Sequence, residues 1–170
     1  MIAPMVKEPD PRLHRKAVPV TQVTEQILRL IDTMIETMVV AQGVGLAANQ
    51  IGSNLNILVA SPDGKEGKEL VLINAVILGR RGRARLAEGC LSVPGVSSDV
   101  VRAASVTVSG LDRKGRPVTV EADGLLAKIL QHEVDHLQGY LFLDRLGAWK
   151  RRRLLRQYQR LCATLRQVQL

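Results

Sequence analysis

Apolar residues recur at every third or fourth position early in the chain, between residues 24 and 41. This spacing places side chains on one face of an α-helix, so it predicts an amphipathic helix whose apolar face packs on a core. The methionines of this face are interpreted as core residues. The apolar face contains Ile27, Leu30, Ile31, Met34, Ile35 and Met38.

Further along, shorter apolar runs that are rich in β-branched residues predict the strands of small sheets. Proline, glycine and aspartate separate these runs, as is typical of turns. Asp63-Gly64 and Lys114-Gly115 are predicted to be tight turns, and the second is predicted to join the last two strands in a hairpin. The four predicted strands are residues 55–60, 70–78, 100–108 and 117–122.

Two more helices are predicted after the last strand. One begins at Asp123 or Gly124. The other lies in residues 148–170, where apolar residues recur between arginines, which predicts an amphipathic helix with a cationic face. The elements together predict an α+β fold in which small antiparallel or mixed β-sheets surround a central helix, followed by this C-terminal amphipathic helix. The apolar residues of the last helix are Trp149, Leu154, Leu155, Tyr158, Leu161 and Leu165.

A length of 170 residues is typical of one domain that buries about two-thirds of its unfolded surface. The chain has neither a basic and apolar leader nor an apolar run of about 18 residues, so we expect no signal peptide or membrane span and a cytoplasmic protein. Cys90 and Cys162 are too few for a disulfide framework. A reducing compartment would keep a cysteine available as a thiolate ligand.

The net charge of +8 is concentrated towards the C-terminal end. Residues 145–170 contain eight of the 24 lysines and arginines and no acidic residue, so the remainder of the chain has 16 residues of each sign. The cationic helix is interpreted either as a solvated helix docked on the domain or as a surface that contacts RNA phosphates, most naturally those of the ribosome. The chain has only four aromatic residues, which argues against a reader of single-stranded nucleic acid.

The segment QHEVDHLQG, residues 131–139, contains two histidines four positions apart. On a helix, His132 and His136 share one face, so both imidazoles can point at a single ion. Glu133 follows the first histidine directly and can take a proton from a water whose pKa the metal lowers. The pattern therefore predicts a hydrolytic metal site. The alternative interpretation is a pair of surface histidines beside a glutamate.

A third ligand is needed to choose between these interpretations. Downstream of His136 there is no further histidine, and Asp144 is the one later carboxylate. Upstream, His14 lies in a segment rich in proline and charge. Cys90 lies in EGCLS, residues 88–92, where glycine lets the backbone turn closely around a small, soft ligand. Cys90 is therefore the preferred candidate.

Three motifs carry a resemblance to a known family. GVGLAANQ at residues 43–50, EGCLS at 88–92 and QHEVDHLQG at 131–139 resemble, in order and spacing, the signature motifs of peptide deformylase. The likeness extends through PDPRL, the first predicted helix, LVLIN, LDRKGRP and EADGLL, and so covers nearly the whole chain. The resemblance implies the same α+β architecture and a hydrolase that removes the formyl group from the N-terminal formylmethionine of newly synthesised polypeptides, releasing formate.

The resemblance also implies a role for each residue of the motifs. The metal would be Fe²⁺, which is oxygen-sensitive, with Zn²⁺, Ni²⁺ or Co²⁺ as substitutes. Glu133 would take the proton from the attacking water and pass it to the leaving amine. The side-chain amide of Gln50 and the backbone N–H of Leu91 would stabilise the oxygen of the attacked formyl group. The metal ligands would be Cys90, His132 and His136.

The organisation of the whole chain follows from these roles. Residues 1–147 would form the catalytic domain. Residues 148–170 would form a basic helix of the same domain, with a possible contact to the ribosome or its RNA. Nascent formylmethionyl polypeptides would be the partners, and no membrane partner is expected.

Helix geometry and the glycine-rich motif predict the substrate pocket. The first two glycines of GVGLAANQ leave room where a substrate backbone could approach, and the resemblance pairs the second of them with the peptide. Residues three and seven positions before the first histidine fall on or beside its helical face, so they should line an apolar slot. The residues predicted to line the pocket are Gly43, Val44, Gly45, Leu125 and Ile129.

Two residues depart from the pattern that the family usually has. Lys128 stands where an apolar residue is usual, and Ser97 stands where a basic or bulky residue is common, so the selectivity of the pocket stays open. Glu88 and Arg102 match an ion pair that, by resemblance, supports the ligand loop. Asp135 is interpreted as a structural capping or salt-bridge residue.

Two other functions stay open. A metallopeptidase or related amidase could use the same site, but the usual third ligand downstream of the second histidine is missing. A ribosome-associated RNA-binding protein could carry a purely structural metal site. Such a site is normally closed by a fourth protein ligand, and none is evident in the sequence. Deformylation is therefore the preferred hypothesis.

Overall fold

The computed structural model describes residues 1–63 and 67–168, and these form three α-helices and seven β-strands joined by turns and short 3₁₀ segments. The helices are α1 (Glu25–Val40), α2 (Gly124–Leu137) and α3 (Ala148–Val168). The strands are β1 (Gly45–Ala47), β2 (Ile57–Ala60), β3 (Leu70–Arg81), β4 (Ala84–Cys90), β5 (Val93–Arg102), β6 (Ser105–Leu111) and β7 (Pro117–Asp123).

Two antiparallel sheets flank α2. One sheet has five strands in the order β1-β2-β3-β6-β7, and the other consists of β4 and β5. The apolar face of α2, with Ala127, Leu130 and Val134, packs in the core of the five-stranded sheet. The two-stranded sheet reaches α2 mainly through polar side chains. The predicted α+β fold, with small sheets around a central helix, is confirmed.

The first predicted helix is confirmed as α1. Thr24 and Ala41, the ends of the predicted range, are the N-cap and C-cap residues of α1. The Thr24 hydroxyl accepts a hydrogen bond from the Ile27 N–H at 3.4 Å. Met34 and Met38 are fully buried, so their interpretation as core residues is correct. α1 packs beside β1 and β2, directly behind the glycine-rich motif.

The predicted strand at residues 100–108 is wrong. β5 ends at Arg102, and β6 begins at Ser105 in the other sheet. Between them, the Gln131 side chain of α2 accepts a hydrogen bond from the Ala103 N–H at 3.0 Å and donates one to the Ala103 carbonyl at 3.1 Å. A side chain thus satisfies the backbone groups that a strand neighbour would otherwise pair, and the chain can leave one sheet for the other.

The prediction also lacks β1, β4 and most of β5, whereas the predicted strands at 55–60, 70–78 and 117–122 agree with β2, β3 and β7. β4 reads ARLAEGC, which contains no β-branched residue, and β1 lies inside the glycine-rich motif. The predicted hairpin at Lys114-Gly115 is confirmed, since the Gly115 N–H donates to the Asp112 carbonyl at 2.9 Å between β6 and β7. The other predicted turn, Asp63-Gly64, is not fully covered, because Gly64 lies outside the described residues.

The predicted amphipathic helix at the C-terminal end is confirmed as α3. Leu154 and Tyr158 are buried in a cluster with Val96 and Val100 of β5. The Tyr158 hydroxyl donates a hydrogen bond to the Glu8 carbonyl at 2.9 Å. α3 therefore completes a core that also holds the N-terminal segment. Within the described residues, no helix is both long enough and apolar enough to cross a membrane.

Candidate metal centre

α2 presents the two histidines of QHEVDHLQG on one side, in the middle of the domain. Their rings lie 4.9 Å apart between centroids, and His136 is fully buried. After the helix, Gly139 turns the chain with a φ of +83°. A Cβ atom at this position would lie 2.7 Å from the His14 carbonyl oxygen, so glycine is required where the chain passes the N-terminal segment.

Cys90 reaches the histidines from the end of β4. Its Sγ lies 3.2 Å from His136 Nε2, and one ligand atom from each of Cys90, His132 and His136 lies within 4.8 Å of the other two. The register of β4 against β5 shifts between Gly89 and Cys90, which turns the cysteine side chain towards α2. The structure therefore brings together the three residues that the sequence offered as metal ligands.

The two rejected candidates for the third ligand lie elsewhere and have other partners. His14 Nε2 is 2.8 Å from the Glu8 carboxylate near the N-terminus. The Asp144 carboxylate accepts a hydrogen bond from the Leu141 N–H at 2.8 Å and pairs with Arg151 at 3.1 Å. The choice of Cys90 over these residues agrees with the geometry.

A buried network of charges orients His132. Its Nδ1 lies 3.0 Å from the Glu88 carboxylate, which leaves Nε2 to face the cysteine. Arg102 donates two hydrogen bonds to Glu88, at 2.6 and 2.9 Å, and a third to Asp135 at 2.7 Å. Arg145 also pairs with Asp135. The ion pair of Glu88 and Arg102 and the salt-bridge role of Asp135 are thus both present, whereas Arg145 was missed.

The neighbours of His132 favour positive charge at this point, which a bound metal ion can supply in place of a proton on the imidazole. Burial alone would lower the pKa of His132, but hydrogen bonds to Cys90 and Glu88 outweigh it and raise that pKa well above its usual value. Burial and the neighbouring His132 lower the pKa of His136 well below its usual value, so its imidazole is neutral. A thiol, a neutral imidazole and an imidazole backed by a carboxylate fit a divalent transition metal.

Glu133 is a buried carboxylate beside these ligands. Its Oε2 atom has no hydrogen-bond partner within the described residues, and burial raises the pKa of Glu133 to about 7. Gly45 of β1 packs against it: a Cβ atom on Gly45 would lie 2.5 Å from Glu133 Oε1 and 2.6 Å from Ile129 Cγ2. The sequence suggested that this glycine leaves room for substrate, but in the structure its missing side chain also leaves room for the carboxylate.

Two amide side chains of GVGLAANQ hold the motif against the centre. The Gln50 Oε1 atom accepts a hydrogen bond from the Ala47 N–H at 2.9 Å, which directs Nε2 to Ser92 Oγ at 3.2 Å and to Cys90 Sγ at 3.6 Å. Asn49 Nδ2 donates to the His136 carbonyl at 2.6 Å. Sequence reasoning missed Asn49 and Ser92, although both stand inside the quoted motifs.

An open cavity of about 390 Å³ lies over the candidate ligands. Leu125 was predicted to line this cavity but does not. It lies one helical turn before Ile129 on α2 and is 44% exposed. Lys128 does line it, and its ammonium group donates to the Ala87 carbonyl at 3.0 Å. Ser97 is exposed and lies outside. The predicted site residues that line the cavity are Gly43, Val44, Gly45, Gln50, Cys90, Leu91, Ile129, His132 and Glu133.

The fold and the site together define a metal-dependent hydrolase. Three soft or borderline donors converge on one point, a buried carboxylate lies beside them, and an amide donor faces the same open cavity. A structural metal site needs neither the cavity nor the carboxylate.

Comparison with known proteins identifies the family. The model of the polypeptide deformylase family matches residues 2–152. A peptide deformylase from Alkalilimnicola ehrlichii is 50% identical over 154 residues, which cover 90% of this chain and 86% of that protein. The crystal structure of a peptide deformylase from Legionella pneumophila is 42% identical, with a TM-score of 0.93 over 97% of this chain and 98% of that one. A peptide deformylase from Ehrlichia chaffeensis, solved in complex with actinonin, is 39% identical, with a TM-score of 0.86 over 94% of this chain and 96% of that one.

The chain therefore belongs to the polypeptide deformylase family. It is a hydrolase that removes the N-formyl group from the formylmethionine of newly synthesised polypeptides, and these polypeptides are its substrate partners. The preferred hypothesis from the sequence is confirmed, and the alternatives of a peptidase and of a non-enzymatic RNA-binding protein are not.

Proposed function

We propose that Cys90, His132 and His136 hold one divalent metal ion and that Glu133 is the base and acid of the deformylation. The observation that carries this proposal is the convergence of the three ligand atoms within 4.8 Å beside the buried Glu133, whose Oε2 atom has no hydrogen-bond partner among the described residues. The ion, when bound, lowers the pKa of water and polarises the formyl carbonyl. Side chains and backbone groups of this chain transfer the proton and stabilise the formyl oxygen.

Glu133 removes a proton from the attacking water and returns it to the amine that leaves as the new N-terminus. As the water attacks the formyl carbon, negative charge develops on the formyl oxygen. The Gln50 Nε2–H group and the Leu91 N–H donate hydrogen bonds to that oxygen. The hydrogen bond from the Ala47 N–H to Gln50 Oε1 supports this role, because it fixes which end of the amide faces the cysteine.

The methionine side chain occupies the apolar part of the cavity, and the peptide backbone runs along the glycine-rich motif. Val44 and Ile129 provide apolar walls, whereas Leu125 lies outside the cavity lining. Gly43 and Gly45 let the peptide approach without a side chain in between. The open cavity of about 390 Å³ is of the size that holds a small ligand.

The proposed native metal is Fe²⁺, with Zn²⁺, Ni²⁺ or Co²⁺ able to replace it. One thiolate and two neutral imidazoles leave a divalent site with a net charge of about +1, which still acidifies water while the sulfur donates electron density. Metal analysis of anaerobically purified protein tests the identity of the ion. A preparation that is active with zinc and carries no iron from the cell would contradict iron as the native metal.

Residues 1–147 are proposed to be the catalytic domain, and residues 148–170 a basic helix that contacts ribosomal RNA. The exposed arginines of α3 support this, since Arg152, Arg153, Arg156 and Arg160 line one concave surface together with Trp149. Phosphate contacts of this kind would hold the enzyme where nascent chains emerge. The cytoplasm is the proposed compartment, because formylated chains are made there.

Formate release from a formyl-Met-Ala-Ser peptide tests the proposed residue roles. The protein is purified anaerobically and loaded with Fe²⁺, beside the variants Glu133→Gln and Cys90→Ala. We expect formate from the parent, a bound metal without formate from Glu133→Gln, and loss of the metal from Cys90→Ala. Full activity in either variant would remove the role assigned to that residue.

Actinonin offers a second test of the cavity. The Ehrlichia relative is solved in complex with it, and we propose that it binds this chain over the candidate metal ligands. Binding should then block formate release in competition with the formyl peptide. Inhibition that does not weaken as peptide concentration rises would contradict binding in the substrate cavity.

A further inference from the structure

The turn between β3 and β4, which lie in different sheets, places a group of arginines beside a face of α2 that carries no candidate metal ligand. Residues 80–85 read RRGRAR, four arginines without an acid. β3 ends at Arg81 and β4 begins at Ala84, and Gly82 between them has a φ of +65°. The even charge balance of the first 144 residues hides this local excess, because it averages over the whole segment.

Two of these arginines, Arg80 and Arg83, line a cavity of about 410 Å³ beside this turn. The opposite wall contains Arg102 and Arg145, and both are anchored by Asp135. Arg102 donates to the Asp135 carboxylate at 2.7 Å and Arg145 donates to it at 2.9 Å. The Arg102 side chain is only 5% exposed and also pairs with Glu88, so this wall is a fixed surface of guanidinium groups held by carboxylates.

The charges around this cavity do not balance. Four arginines line it, but Arg102 and Arg145 are balanced by two carboxylates, Asp135 in the lining and Glu88 behind Arg102. The excess positive charge is therefore that of Arg80 and Arg83. The side chains of Arg80 and Arg83 make no hydrogen bond or ion pair with any residue that the structure describes. Like charges around a concave surface repel one another, and an anion between them relieves that repulsion.

The guanidinium group also determines which anion fits. Its N–H groups form a planar fork that matches two oxygens of a phosphate, and such charge-assisted hydrogen bonds are the strong ones. Beside the arginines, Ile77 and Val101 add an apolar portion to the lining. The cavity can therefore hold a phosphate and still leave space for an organic substituent.

We propose that this arginine cavity, defined by Arg80, Arg83, Arg102 and Arg145, binds a phosphate group, either as inorganic phosphate or as a phosphate monoester. Arg80 and Arg83 donate to the phosphate oxygens. Arg102 and Arg145 stay paired with Asp135 and Glu88 and form the fixed wall against which the phosphate lies. The site is distinct from the metal centre, because none of the three candidate ligands lines this cavity, although Arg102 contacts Glu88, the partner of His132.

Isothermal titration of the full chain, at constant ionic strength, tests the proposal with two probes: inorganic phosphate and adenosine monophosphate. The variant Arg80→Gln/Arg83→Gln removes the two unpaired guanidiniums. Arg81→Gln is the matched control, since Arg81 is adjacent, exposed and outside this cavity. We expect saturable binding that weakens about tenfold or more in the double variant and less than about twofold in the control.

Comparison of the two probes identifies the source of the phosphate. Tighter binding of the nucleotide supports an ester as the ligand, and equal or tighter binding of phosphate supports the free ion. Melting temperatures of both variants should match the parent, because the substituted side chains are exposed. Failure of both probes to saturate, or equal weakening by Arg81→Gln, would overturn the proposal, since the arginines would then act only as a diffuse positive surface.

Discussion

α2 and α3 each have an apolar strip and a polar face, but they use the polar face in opposite ways. On α2, Asp135 and His136 are buried, and the Asp135 carboxylate pairs with Arg102 while the His136 imidazole lies 3.2 Å from the Cys90 sulfur. On α3, Leu154 and Tyr158 are buried, while arginines such as Arg156 stay in water.

The difference shows that burial determines how strongly a polar residue affects reactivity and stability. A charge in water is screened and free to move, so its loss changes stability little. A buried charge must be paired, and its pairing sets its protonation and its direction. Substitutions on the polar face of α2 should therefore alter catalysis and stability. Substitutions on the polar face of α3 should alter only contacts with a partner.

The largest effect is expected from Glu133→Gln. The amide has nearly the same shape but cannot accept a proton, so formate release should fall by about 10³-fold while the metal stays bound. Steady-state kinetics and metal analysis measure both quantities. Glu121→Gln, on the exposed side of β7, is the control and should leave the rate unchanged.

The second effect concerns the stability of the charge network around Glu88. Glu88→Gln leaves Arg102 buried with only Asp135, so the free energy of unfolding at pH 7 should fall by about 3 kcal/mol. Denaturant titration measures this loss. A loss below about 0.5 kcal/mol would mean that the network contributes orientation and no net stability.

The same network predicts how stability depends on pH. Burial alone would raise the pKa of Glu88, but hydrogen bonds from Arg102 and His132 lower it to about 2, below its usual value of 4.5. Because the folded pKa is the lower one, the stabilisation is complete above pH 4.5 and is lost as the pH falls towards 2. Denaturant titrations across this range should show that slope, and Glu88→Gln should reduce it.

Leu154→Ala tests whether α3 belongs to the core. The side chain is buried with Val96, Val100 and Tyr158, so its truncation should lower the free energy of unfolding by about 2–4 kcal/mol. Leu165→Ala, on the exposed end of the helix, should change it by less than about 0.5 kcal/mol. Equal effects of the two would show that α3 is not packed on β5 in solution.

Gly45→Ala should disturb the catalytic carboxylate. The added methyl group would collide with Glu133 and Ile129, so formate release should fall by about tenfold, through kcat more than through KM. Gly79→Ala is the matched control, because a Cβ atom there meets only Thr107 at an ordinary 3.7 Å. A normal kcat in Gly45→Ala would show that Glu133 has room to shift without loss.

The smallest effect on the folded protein is expected from Arg152→Gln/Arg156→Gln. Stability should change by less than about 0.5 kcal/mol, because both side chains are exposed. If α3 contacts ribosomal RNA, the same variant should weaken ribosome binding and flatten its dependence on salt. Deletion of α3 is a poorer test, since it would uncover the core around Tyr158. Unchanged ribosome binding would remove the proposed contact.

Predictions from the sequence succeeded where the pattern is local and failed where the structure depends on contacts between distant residues. The apolar stripe of α1 and the spacing of His132 and His136 are local, and both are found as predicted. The strand at 100–108 failed because Gln131, nearly thirty residues away, takes the backbone groups of Ala103. Strand β4 was missed because its residues favour no strand by themselves and depend on β5 for pairing.

The sequence by itself determined the metal motif, the family resemblance and the helices, because helical spacing and short motifs are complete within a few residues. Only the tertiary structure decided that Gly45 makes room for Glu133, that Arg145 shares Asp135 with Arg102, and that Arg80 and Arg83 surround a cavity with them. Those contacts join residues that are far apart in the chain. Their pairing depends on how the sheets pack around α2, and no local pattern encodes that packing.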